Sequence, residues 1–170
     1  MENRPSLVPL ALCSALLLLQ DAPAARAGEA KDVKGTLNLD GKTIALEYAY
    51  IDQSDNEEPI VVLSDKPLPA EAILFLPEKL VKEKAIHAVA FSVSRKDRTL
   101  TNTYGKVYGP GHEMGVGLGR VEDGRVRLQI KRLDASAIEG TIATVKPVAL
   151  SYATYSFDLT FLAKAGKKAG

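Results

Sequence analysis

The sequence predicts an all-β protein: an antiparallel two-sheet sandwich, with a closed β-barrel as the alternative, carrying one or two short helices inserted around residues 69–84. Large apolar and small or polar side chains alternate with a period of two through most of the chain after Gly28. Turn dipeptides recur at close intervals between those stretches, and a single proline-rich segment interrupts the pattern. About nine short strands follow, with no internal repeat and no linker, so one β domain over residues 28–164 is expected.

Asp40-Gly41 lies between Val33–Leu39 and 42–51 and supplies the positive φ values of a tight type I′ turn, which predicts a hairpin. In its second strand Ile44, Leu46, Tyr48 and Tyr50 are expected on one face. The apolar run Ile60-Val61-Val62-Leu63 suits a strand covered on both faces. Prolines at 67, 69 and 77 break strand pairing, while the Glu- and Lys-rich segment before residue 85 favours helix, Pro69 and Pro77 being placed for first-turn positions.

Strands return with His87, Val89, Phe91 and Val93 on one face and Ala88, Ala90, Ser92 and Ser94 on the other. Leu100 to Tyr108 is the returning strand. After the turn Gly109-Pro110-Gly111, Met114, Val116 and Leu118 alternate with Gly115, Gly117 and Gly119. Asp123-Gly124 predicts a second hairpin, leading into a strand with Val126, Leu128 and Ile130 inward and Arg125, Arg127, Gln129 and Lys131 outward. Two strands near 138–145 and 151–162 complete the domain, the last aligning Tyr155, Phe157, Leu159 and Phe161. Residues 165–170 are expected to form a short flexible basic tail.

Residues 1–27 read as a cleavable secretory signal peptide: Arg4, the apolar run from Leu7 to Leu19, then small residues ending Ala25-Arg26-Ala27. Cleavage is expected before Gly28, giving a periplasmic or extracellular product. The apolar run is shorter than the roughly 20 residues a transmembrane helix needs, so no transmembrane segment is expected in the mature chain. Cys13 lies inside that run behind the bulky Leu12, which argues against lipid attachment. It is the only cysteine of the chain, so no disulfide is expected in the mature domain. The leader removes two of 22 Lys and Arg and two of 21 Asp and Glu, leaving the net charge at +1. That balance argues against a nucleic-acid partner, which calls for a strongly basic domain.

The order Gly35-Thr36-Leu37, Asp40-Gly41-Lys42, Tyr48-Ala49-Tyr50 and the run 61–69, VVLSDKPLP, resembles exported bacterial β domains of unknown function. The C-terminal stretches 140–144, GTIAT, and 155–161, YSFDLTF, are similar to the ends of those domains. The resemblance spans most of the mature chain. It implies a bacterial, exported, β-rich protein and carries no activity and no site residue with it.

The motifs that invite chemistry each meet a simpler account. His112-Glu113 suggests helical zinc binding, but the second histidine is missing at 116, where Val stands in a glycine-alternating strand. His87 and His112 are the two histidines, and neither is assigned a metal. No G-x-S-x-G turn marks a nucleophile. Gly115 to Gly119 is no phosphate loop; it permits bending or close backbone approach, or else opens a ligand groove.

Asp52, Asp55, Asn56, Glu57 and Glu58 offer the hard oxygens calcium prefers but form no complete calcium loop, which favours a solvated turn. Arg125, Arg127 and Lys131 present a cationic stripe to an anionic polymer, or simply the wet face of a strand. The tyrosines at 48, 50, 104, 108, 152 and 155 suit sugar stacking, though strand propensity already accounts for them.

No catalytic, cofactor-binding or metal-ligating residue is therefore assigned, and no cofactor. The expected function is a non-catalytic binding or structural module of the bacterial cell envelope, with an envelope protein or glycan as partner. The alternatives are an enzyme using paired carboxylates on envelope glycans, and an exported inhibitor or chaperone-like factor pairing through a strand edge.

Overall fold

The computed structural model describes residues 32–52, 54–69, 72, 76 and 78–165. The leader with Cys13, Pro77 and the tail beyond Ala165 lie outside the described residues. The strands are β1 Val33–Leu39, β2 Lys42–Ala45, β3 Tyr48–Asp52, β4 Ile60–Ser64, β5 Ala88–Val93, β6 Leu100–Gly109, β7 His112–Gly117, β8 Val126–Leu133, β9 Ala137–Thr144, β10 Val148–Ala149 and β11 Thr154–Ala165. One helix, α1 Glu78–Lys84, lies between β4 and β5.

The long C-terminal strand organises the rest. β11 pairs antiparallel with β1 along one edge and with β9 and β10 along the other. β2 extends beyond β1 and β8 beyond β9, so the first leaf reads β2-β1-β11-β9-β8. At the end of β11, Lys164 and Ala165 pair in parallel with Tyr50 and Ile51 of β3. β3 starts the second leaf, β3-β4-β5-β6-β7, whose neighbours are all antiparallel. β7 and β8 do not pair with each other, so the sheet is not closed into a barrel and the fold is sandwich-like. The parallel contact is a departure from a purely antiparallel expectation; a strand that changes leaf there keeps its backbone groups bonded.

Period-two alternation directs Leu37, Phe157, Leu159, Phe161 and Ile142 of the first leaf against Val61, Leu63, Val89, Phe91 and Val107 of the second. Phe91 meets Phe161 edge to face across this core, with ring centroids 5.6 Å apart at 70°. A buried side chain of this size contributes about 1.5–3 kcal/mol through burial, and the aromatic contact adds about 0.5–1.5 kcal/mol.

β4 and β5 are buried on both faces, as their composition predicts. Val62, Ala88 and Ala90 point away from the main core into a second cluster with Tyr50 and Tyr108, beneath Leu68, Leu76, Val81 and Ile86. α1 itself lies against β6 and β7. Lys66 closes the helix end, its Nζ donating to the carbonyls of Lys84 at 2.5 Å and Ala85 at 3.1 Å, where the last carbonyls lack intrahelical partners. Of the one or two helices expected over 69–84, α1 is the α-helix formed among the described residues, and Ala72 lies in a 3₁₀ turn whose N–H donates to Pro69 O at 2.9 Å.

The β1–β2 turn takes the expected form, with Asp40 at φ 50° and Gly41 at φ 79°. Two local expectations are corrected. The strand expected over 42–51 is two strands, broken at Leu46-Glu47 as the chain leaves the first leaf for the second; Glu47 N–H donates to Ser64 O at 2.9 Å. Beyond the break Ala49 and Ile51 enter the main core, and Tyr50 turns to the helix side. Asp123-Gly124 forms no hairpin: it ends a single 3₁₀ turn, Val121–Asp123, with Gly124 as left-handed cap at φ 61°. β11 also runs through Ala165, one residue into the segment expected as tail. No helix among the described residues is long and apolar enough to cross a membrane.

Candidate functional site

Where β7 and β8 fail to meet, the sandwich has an open seam. Its origin is a mismatch of lengths. β6 runs from Leu100 to Gly109, but β7 pairs only with its C-terminal part, from Lys106 onward. Past Gly117 the chain makes one more backbone contact, Leu118 N–H to Gly105 O at 3.0 Å, and then crosses to β8.

Asn102 in the unpaired half of β6 fastens that crossing. Its Oδ1 accepts the Val121 N–H at 2.8 Å and its Nδ2 donates to Glu122 Oε1 at 2.9 Å. Asp123 accepts the Arg120 N–H at 3.3 Å and faces Arg125 Nε at 3.5 Å. From the far leaf, fully buried Tyr155 reaches across and donates its hydroxyl to Gly117 O at 3.0 Å. Burial pushes that hydroxyl up to about 12, because the phenolate would lose its water.

Under the crossing lies a half-open cavity of about 280 Å³. Leu100, Leu118, Val121 and Val126 supply apolar side chains, Thr101, Asn102 and Tyr104 polar ones, and Gly105, Gly117 and Gly119 contribute backbone alone. A Cβ placed on Gly117 would meet nothing closer than Gly119 N at 4.0 Å, so a side chain there would enter open space at the cavity's edge. Arg120 is the one charged residue of this lining, and it enters none of the ion pairs among the described residues. The volume lies just below the range of ligand pockets, roughly 300–1,000 Å³.

The glycine alternation singled out in the sequence is thus divided. Gly117 and Gly119 line the cavity, while Gly115, at φ 81°, sits against Lys106 and Tyr108 on the other side of β7. The acidic loop turns its oxygens on itself and its neighbours. Asp52 accepts Ser54 N–H and Oγ–H, Asp55 accepts the Glu57 and Glu58 amides, and Glu58 Oε2 accepts the hydroxyls of Thr101 and Thr103. Among the described residues no three His, Cys, Asp or Glu side chains group to hold a metal ion.

Arg127, Gln129 and Lys131 lie on the exposed face of β8, as the alternation predicts, while Arg125 faces Asp123 and a register shift follows between Ile130 and Arg132. β8's outer edge is met from the second leaf: Arg98 donates to Lys131 O at 3.5 Å, and Arg95 to Asp134 O at 3.0 Å.

Both histidines pair with aspartates at the end of the sandwich where the β1–β2 and β6–β7 turns meet. His112 Nε2 lies 2.6 Å from Asp40 Oδ2, and Asp40 Oδ1 accepts the Thr154 N–H at 2.8 Å. The Thr154 amide and the His112 contact hold the Asp40 carboxyl below the usual carboxylate range. His87 Nδ1 lies 2.8 Å from Asp65 Oδ2, and its backbone N–H bonds the same carboxylate at 2.8 Å. The His112–Asp40 contact joins the β1–β2 turn to the start of β7, and the His87–Asp65 contact joins the end of β4 to the start of β5.

Of the tyrosines, Tyr50, Tyr108 and Tyr155 are buried and Tyr48 and Tyr104 half-buried, leaving Tyr152 open to solvent. Tyr104 and Tyr108 bond each other through their hydroxyls on the helix side. Sequence reasoning passed over Asn102 and Arg120; the glycines at 117, 119 and 124 around one β-branched residue were the available signal of a crossing segment.

No protein-family model matches the chain, and neither a curated protein nor a solved structure is significantly similar to it.

Proposed function

We propose that the protein is an exported, non-catalytic binding module of the bacterial cell envelope that admits a small apolar ligand to the seam between β7 and β8. The observation that carries this reading is the cavity of about 280 Å³ under the 118–125 crossing, where Leu100, Leu118, Val121 and Val126 form an apolar side facing Thr101, Asn102, Tyr104 and Arg120. The leader-like residues 1–27 support the exported compartment.

Thermal denaturation of the processed protein against a panel of small apolar compounds tests the reading. A ligand held at 100 times its Kd stabilises the folded state by about 2.7 kcal/mol, a rise of several degrees. The rise is expected in the parent and absent in Gly117→Leu, whose side chain occupies the cavity. A parent indifferent to every compound, with Gly117→Leu simply more stable, would sink the proposal. Export is tested separately by N-terminal sequencing of the secreted protein, with Gly28 as the expected first residue.

A further inference from the structure

Resting on that binding reading, we infer that the seam selects a medium-length aliphatic carboxylate, its anionic head at Arg120 and its tail against Leu100, Leu118 and Val126. Leu100, Leu118 and Val126 offer the tail no hydrogen-bonding group.

The polar atoms near the crossing are engaged with one another. Both ends of the Asn102 amide are taken by Val121 and Glu122, and Asp123 is taken by Arg125 and the Arg120 backbone. The side chain of Arg120 is the exception. As the lone charge of the lining, outside every ion pair among the described residues, it is the group whose charge a ligand can complement. A guanidinium also matches a carboxylate in a two-pronged geometry that no neutral head reproduces.

The experiment titrates octanoate and 1-octanol, both kept monomeric, into ¹⁵N-labelled processed protein and follows the amides of Gly105, Gly117 and Gly119. Octanoate is expected to shift these amides saturably and to bind about tenfold more tightly than octanol, the scale of one charge-assisted contact at a half-open site. Arg120→Gln is expected to bring octanoate to octanol's level while leaving octanol unchanged. Gly117→Leu is expected to abolish both.

Equal binding of the two compounds by the parent protein, or a preference for octanoate that survives Arg120→Gln, overturns the inference and leaves the cavity reading standing. If neither compound moves the glycine amides while another apolar compound raises the melting temperature of the parent alone, the inference again falls by itself. If no compound does either, both fall.

Discussion

At one lateral boundary of the sandwich, Lys164 and Ala165 of β11 pair with Tyr50 and Ile51 of β3, and the sheet continues from leaf to leaf. At the other, β7 and β8 approach with no ladder between them, and a glycine-rich crossing spans the gap. The interior differs accordingly. Phe91 and Phe161 interlock where β11 and β5 face each other, whereas Val126 and Leu118 flank empty space at the seam. One pattern of apolar alternation thus yields a dry core in one place and an accessible pocket in another, and the difference lies in strand length and register.

The sharpest way to break this comparison is to truncate one side chain in the closed interior and one at the seam. Phe161→Ala removes a fully buried ring and its partner contact with Phe91, and is expected to cost about 3–5 kcal/mol in urea denaturation. Val126→Ala, half-buried beside a cavity that already exists, is expected to cost about 1 kcal/mol. Similar losses at both positions would mean that the seam is packed as tightly as the interior.

Tyr155 links the two regions, and Tyr155→Phe isolates that link. Losing the hydroxyl leaves Gly117 O without its partner and is expected to cost about 1.5 kcal/mol at pH 8. The deficit then changes with pH. With the folded hydroxyl at about 12 against an ordinary 10.0, the stability tied to neutral Tyr155 is complete below pH 10 and is lost as pH rises toward 12. The variant lacks that loss, so its deficit should shrink between pH 8 and 11. Tyr50, Tyr104 and Tyr108 are raised by burial on the helix side and give both proteins the same alkaline trend.

How far the sequence discloses this arrangement depends on the distance over which each feature is decided. β5 was legible because its alternation is local: large residues at 89, 91 and 93, small ones at 88 and 90, with both faces covered. The break at Leu46-Glu47 was not, because the period-two pattern of Ile44, Leu46, Tyr48 and Tyr50 runs straight through the point where the chain changes leaf. Asp123-Gly124 misled for a related reason. The dipeptide supplies a left-handed residue, which a hairpin turn and a 3₁₀ cap both use, and only the distant partners β6 and β9 decide between them. The seam itself follows from β6 outrunning β7. Asn102 and Arg120 are therefore unremarkable in sequence and adjacent only in space.

The turn-bearing end of the sandwich offers a control for the seam. Asp40 accepts Thr154 N–H and faces His112, tying the β1–β2 turn to the turn of β6 and β7. Asp40→Ala is expected to cost about 1 kcal/mol, a solvent-screened contact being worth little more. Since the folded carboxyl lies below 3.8, this contribution is present above that pH and is lost as pH falls through the folded value. Chemical denaturation at pH 5 and pH 3 should show the deficit narrowing on the acid side. A deficit that instead widens there would give the stabilisation to the uncharged carboxyl.

The smallest effect separates the seam from a ladder most cleanly. Gly35 lies inside the β1–β11 pairing at φ 120°, and a Cβ there would stand 2.0 Å from Asp158 O, so alanine at that position forces the backbones apart. Gly117 has no positive φ and open space in front of it. Gly117→Ala therefore restricts the unfolded chain without straining the folded one, and is expected to change stability by about 0.5 kcal/mol in the stabilising direction. A loss of more than about 1 kcal/mol would mean that the β7 end moves into the space beside it, because an unstrained surface exchange of this kind stays within about half that size.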